Sequence, residues 1–155
     1  NSNTPSVIAL SRQKLSFVTE TLTQKNMSAL GAYEIKKNEN HEIILIASGS
    51  EVQIAIKAYN KLKDLNINSK VVSMPCQELF NSQSKEYKEK ILGKNSLKIS
   101  IEASSIYGWE KYVGEKGSSI GMKSFGKSAP IKDLYECFDL TSNNVVKLAT
   151  KMLGK

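Results

Sequence analysis

Histidine and arginine occur once each in these 155 residues, as His41 and Arg12, tryptophan also occurs once, cysteine twice and proline three times. A lone histidine cannot supply a histidine-based metal cluster, and Cys76 and Cys137 lie too far apart for metal-ligand spacing. The two cysteines read as reduced thiols of a cytoplasmic protein. No apolar run approaches the ~18 residues of a membrane span, and the N-terminus has neither the cationic start nor the apolar core of a signal peptide. Glycines 114, 117, 121 and 126 do not follow a strand in the dinucleotide spacing, and the stretch reads as free of a phosphate loop.

Lysine is abundant instead, with arginine making 22 basic residues and a net charge of +7. The lysines are interleaved with Asp and Glu, without a basic stripe or aromatic interleaving, so they read as solvated surface and no nucleic-acid partner is expected. Arg12 stands apart in a composition that otherwise avoids arginine. A planar fork that grips a phosphate or carboxylate at two points requires guanidinium, although a structural ion pair or chance would also account for one arginine.

Residues 43–46 are four aliphatic residues in a row, the pattern of a parallel strand covered on both faces. After them, Ser48 or Ser50 can cap a helix, with Glu51 or Gln53 as capping-box partner. Val52, Ala55, Ile56, Tyr59 and Leu62 form its apolar face. Residues 70–74 make the next strand, which completes a right-handed crossover unit. Strands are also expected over 5–10, 31–35, 97–102 and 120–125. Helices are expected over 76–80, 84–92, 103–113, from Pro130 through 138, and over 141–153, with a linker over 14–26.

Arg12 follows one expected strand and Glu102 ends another, at the sheet edge where α/β proteins meet ligands. Capping or a buried hydrogen bond would equally account for Glu102. His41, in a polar turn, reads as a surface residue without a chemical role, and Trp109 as core or interface. A small anion held at the N-terminus of the helix after Gly49, in a non-catalytic regulatory module, is the alternative reading of the domain.

Several motifs in order resemble the C-terminal region of transketolases: Leu10-Ser11-Arg12-Gln13, Ala47-Ser48-Gly49-Ser50-Glu51-Val52, Val71-Val72-Ser73-Met74-Pro75 followed by Phe80, and Glu102-Ala103. Lys111-Tyr112-Val113-Gly114, Gly121-Met122, Phe125-Gly126, Ser128-Ala129-Pro130 and Asn144-Val145-Val146 complete the set. The resemblance implies a three-layer α/β/α, Rossmann-like domain over 29–155, with a mixed, mostly parallel sheet of about five strands whose edge strand at 31–35 is antiparallel. Residues 1–28 would be the tail of a preceding pyrimidine-binding domain and a linker, and a start at Asn1 instead of Met fits a piece of a longer chain. Transketolases are homodimers of the pentose phosphate pathway. They transfer a two-carbon ketol unit between sugar phosphates, using thiamine diphosphate and a divalent metal (Mg or Ca) held by other domains. By position, Arg12 matches the family arginine that reaches the substrate phosphate. No catalytic, cofactor-binding or metal-binding residue carries over, so this segment alone is expected to be inactive.

Overall fold

The computed structural model describes residues 5, 7–18 and 26–155. Its sheet has the order β1-β3-β2-β4-β5, formed by β1 (Tyr33–Lys36), β2 (Ile43–Ala47), β3 (Ser69–Ser73), β4 (Leu97–Ser105) and β5 (Ser118–Met122). β1 pairs antiparallel with β3 at one edge, and the other pairings are parallel. The unbroken aliphatic run of β2 takes the central position, where all five of its residues are fully buried. Alternate side chains then serve two cores. Ile43 and Leu45 meet α1 (Val52–Asp64) through Ala55 and Leu62, and α6 (Ser142–Leu153) through Val145 and Ala149. Ile44 and Ile46 face the opposite layer, made by α2 (Gln77–Asn81), α3 (Lys85–Leu92) and α4 (Glu110–Val113), with Phe80, Ile91, Trp109 and Tyr112. α5 (Ile131–Cys137) lays Tyr135 on the first core. These are the three layers and the mixed sheet implied by the motifs.

The antiparallel edge strand and the helices at 76–80, 84–92, 130–138 and 141–153 are present within a residue or two of their expected limits. Other expectations are corrected. β4 runs on to Ser105, and Lys98 and Ser100 are buried along with Ile99 and Ile101. Ser100 is accommodated by a hydrogen bond from its Oγ to Ser119 Oγ at 2.6 Å. Only Glu110–Val113 of the helix expected over 103–113 forms: the first three residues extend β4, and Gly108, at φ +89°, holds a turn. β5 starts two residues earlier than expected and ends at Met122. On α1 Val52, Ala55 and Leu62 are buried as expected, but Ile54 and Ala58 are buried too and Ile56 and Tyr59 only half-buried, because α6 as well as the sheet covers the helix.

Residues 7–10 pair with no strand of the sheet, and Ser6 of the strand expected over 5–10 lies outside the described residues. A strand needs a hydrogen-bonded neighbour, and both sheet edges, β1 and β5, lack this segment as a partner. Residues 19–25 of the expected linker also lie outside the described residues. No described helix is long and apolar enough to cross a membrane.

Candidate functional site

The sheet has one topological switch point. From β2 the chain crosses over through α1 to β3 on one side, and β4 then pairs on the other side, so the C-terminal ends of β2 and β4 part from each other. Ligands of doubly wound sheets sit in such a crevice. Here Ser48 leaves β2 and Glu102 lies on β4, and Ser48 Oγ donates to Glu102 Oε2 at 3.1 Å. Ser50 Oγ donates to Glu51 Oε1 at 2.6 Å, and the Tyr135 hydroxyl donates to the same oxygen at 2.8 Å. Glu51 is 4% exposed and is satisfied by these two donors.

These contacts overturn the capping expectation. Neither serine side chain caps α1; a short 3₁₀ turn, Gly49–Glu51, leads into the helix, and both hydroxyls serve carboxylates instead. Burial raises the Glu102 carboxyl above the usual carboxylate range and the charge of Glu51 adds to this, while hydrogen bonds from Ser48 and the Trp109 indole act the other way. Glu102 is thus a partly buried hydrogen-bonding group, one of the roles its sequence position left open. Burial likewise raises the Tyr135 phenol, which stays protonated as a donor. Tyr135 was not legible as a member of this cluster, since it arrives from α5, 33 positions after Glu102, with no spacing signal.

An anion at this helix start would meet Glu51 and Glu102. Their charge opposes the small-anion reading, although the turn at Gly49 is open, with no atom within 4 Å of where a Cβ would stand. The glycine-rich stretch requires a further correction. By spacing, Gly121-Met122-Lys123-Ser124-Phe125-Gly126-Lys127-Ser128 does match a phosphate-loop pattern. Its structural context is missing: β5 ends at Met122, residues 125–129 are irregular, and α5 begins only at Ile131 behind Pro130. Lys127 turns to the neighbouring α5 region, with Nζ 3.2 Å from Cys137 Sγ and 5.9 Å from the centre of the Phe138 ring.

Arg12 lies exposed on a bend, apart from the Glu51–Glu102 cluster in sequence. Around it Val7, Ile8, Leu10 and Phe17 are 80–98% exposed. His41 sits before β2, at the opposite end of the strands, where Nδ1 is 2.7 Å from the Asn38 carbonyl and Nε2 is 3.4 Å from Ser96 Oγ. Cys76 and Cys137 are free thiols. Trp109 is 2% exposed in the core, as expected. Among the described residues no three metal-ligating side chains come together, and the switch-point carboxylates are closed by Ser and Tyr donors. These residues therefore do not fit a metal–diphosphate group.

The fold and this site define a doubly wound α/β domain whose usual ligand crevice is closed by its own side chains. The family model for the transketolase-like C-terminal domain matches residues 31–141, and the chain belongs to that family. It is 44% identical to the transketolase of Sinorhizobium medicae over 155 residues, 99% of this chain and 22% of that protein. In structure it is similar to transketolase from Leishmania mexicana (TM-score 0.76, 37% identity, 81% of this chain and 18% of that one). It is also similar to transketolase from Pichia stipitis in complex with sedoheptulose 7-phosphate (TM-score 0.77, 32% identity, 82% and 18%). The chain spans about a fifth of the length of such relatives.

Proposed function

We propose that this chain acts as the C-terminal part of a transketolase, which transfers a two-carbon ketol unit between sugar phosphates with thiamine diphosphate and a divalent metal bound by other domains. Residues 1–28 belong to the end of the pyrimidine-binding domain and its linker, and 29–155 form the C-terminal domain of a homodimeric enzyme. Arg12 is the contribution to the substrate site: a guanidinium fork that positions the sugar phosphate without taking part in bond making.

The observation that carries this reading is the state of the Arg12 segment. Val7, Ile8, Leu10 and Phe17 are 96%, 80%, 85% and 98% exposed, on a stretch joined to a domain whose central strands β2 and β3 are buried along their whole length. Four large apolar side chains displayed in so short a stretch call for a covering surface. A neighbouring domain supplies one and places Arg12 at its mouth. The sugar phosphate in the Pichia stipitis structure is a ligand of the chemistry that Arg12 would grip.

The test is Arg12→Ala in the enzyme that carries this segment with its cofactor-binding domains. KM for phosphorylated acceptors should rise by the equivalent of about 1.5–3 kcal/mol, the worth of a charged hydrogen bond, with little change for unphosphorylated acceptors. Equal effects on both classes would refute the phosphate role.

A further inference from the structure

The face of the sheet opposite α1 carries a groove that the proposed ketol transfer does not use. It encloses about 410 Å³ between α2, α3 and α4 and reaches down to β4. Five lysines line it: Lys85 and Lys88 from α3, Lys94 from the following loop, Lys98 from β4 and Lys111 from α4. Glu89 is the single acidic residue in the lining, and Phe80 and Tyr112 give it aromatic walls. Elsewhere the chain interleaves its charges, so this excess of positive charge around one concavity departs from the background.

Lys98 makes the groove more than a patch of surface lysines. It is 8% exposed, and among the described residues its ammonium has one acceptor, the Ser96 carbonyl at 2.9 Å. An ammonium carries three donors, so two remain for a ligand or water in the groove. The other buried lysine, Lys70, shows the satisfied arrangement, with Glu34 Oε1 at 3.0 Å and the Lys90 carbonyl at 3.2 Å. None of the five groove lysines forms an ion pair with a described carboxylate. Lys88 donates to the Asn81 carbonyl at 3.0 Å, and Lys111 lies over the Tyr112 ring at 5.8 Å. Burial, with the nearby charge of Lys70 added, lowers the Lys98 ammonium below the ordinary lysine range, and an anion in the groove would oppose that shift.

We propose that this groove binds a small phosphorylated molecule, with its phosphate on the Lys98 ammonium and flanked by Lys88 and Lys111, and its body along the Tyr112 side of the groove. Lysines act on phosphate as point charges, so several converging ammonium groups suit a multiply charged group, and the volume is that of a small-molecule pocket. A nucleic acid would need a continuing basic track, which the interleaved charges beyond the groove do not provide. The groove is lined by no residue of the Arg12 segment, and the proposal does not depend on the role of Arg12.

The test is a titration of the 155-residue chain with inorganic pyrophosphate at about 0.15 M ionic strength, followed by amide NMR shifts, with added chloride as the control for screening. Saturable shifts should gather at Gly93, Lys94, Lys111 and Gly114, and chloride should not reproduce them. Lys98→Met and Lys111→Gln should each weaken binding about tenfold, whereas Lys57→Gln on α1 should leave it unchanged. Lys111 is exposed, so its variant keeps the test valid should Lys98→Met perturb folding. Non-saturating shifts spread over lysines of every face, or equal weakening by all three substitutions, would overturn the proposal.

Discussion

Replacing Gly31 by alanine should be among the most damaging single-methyl additions this domain can receive. Gly31 sits where the chain enters β1, at φ +78°, a conformation that costs an L-residue about 1–2 kcal/mol. A Cβ there would overlap the Phe80 amide nitrogen and lie 2.5 Å from the Cys76 carbonyl oxygen and 2.7 Å from the Leu79 carbonyl carbon. These are backbone atoms of the first turns of α2, so no side-chain rotation relieves the clash. Displacing α2 is resisted as well: Phe80 is 1% exposed and its ring meets those of Tyr87 and Tyr112 at 6.4 and 6.2 Å. The displacement would also strain the Cys76 N–H bond to the Gly31 carbonyl at 3.1 Å. With overpacking at about 1–3 kcal/mol and a lost hydrogen bond at about 1, the destabilisation should total about 3–6 kcal/mol. Gly49→Ala is the matched control. Its φ is +49° but no atom lies within 4 Å of the added carbon, so only the conformational cost of about 1–2 kcal/mol remains. Urea unfolding followed by the fluorescence of Trp109, the single tryptophan and part of the same core as Phe80, reads both variants. Equal midpoint shifts for the two, or a larger one for Gly49→Ala, would refute the reasoning.

Glu102→Gln tests the raised carboxyl at the switch point. A folded-state pKa above the unfolded one means that the folded protein holds its proton longer, so wild type loses stability relative to the variant as pH climbs through and above the ordinary carboxylate range; paired urea melts at acid and neutral pH should show that trend, and the opposite slope would discard it. Glu34→Gln strips the buried Lys70 of its counter-charge and should cost about 3–5 kcal/mol, whereas a Glu34→Leu, Lys70→Met double variant should recover most of the loss. Both can be read by chemical denaturation, and a double variant as unstable as the single one would count against that account. Ser84→Ala and Thr141→Ala each remove a side-chain acceptor from a helix N-cap, at Tyr87 N and Asn144 N, and should each cost about 0.5–2 kcal/mol in thermal unfolding. Calorimetric titration of the chain with thiamine diphosphate and magnesium should give no binding heat, in line with the poor fit of the switch-point residues, and a saturable isotherm would reverse the domain assignment.

The central crossover was legible because residues 43–46 admit one placement, and because residues 66–68 stop the helix before a second β-rich run. Asn66 does so in a left-handed conformation, at φ +56°. What failed was local chemistry decided by distant partners. Ser48 has the sequence of a capping residue, yet a carboxylate 54 positions away is the better acceptor for its hydroxyl. Leu97 to Glu102 alternates like a half-exposed strand, but the layer made by α2, α3 and α4 covers the face where Lys98 and Ser100 point, which periodicity alone cannot reveal. The apolar stretch at 7–10 has the composition of a strand without a sheet edge to pair with. Of the candidate site, Glu102 was found from its place at a strand end, whereas Glu51 was assigned to capping and Tyr135 was missed.

Closure of the switch point limits what this domain can bind there. In a doubly wound sheet the crevice between the diverging strands is where a ligand gains from exposed strand ends and helix starts. Here the two strand ends are linked by Ser48 and Glu102, and the helix start is occupied by a 4%-exposed glutamate that takes hydrogen bonds from Ser50 and Tyr135. A ligand could enter only by breaking these bonds and facing two carboxylates. The scaffold's stability is therefore free to support what lies outside it: the exposed segment that bears Arg12, and the aromatic side chains Tyr107 and Phe125, 90% and 98% exposed beyond the ends of β4 and β5. Tyr107 and Phe125 stand beyond the C-terminal ends of β4 and β5, where the neighbouring domain proposed above would cover them. The lysine groove, between α2, α3 and α4, is lined by neither Tyr107 nor Phe125 nor the Arg12 segment, so covering those side chains would not by itself fill it.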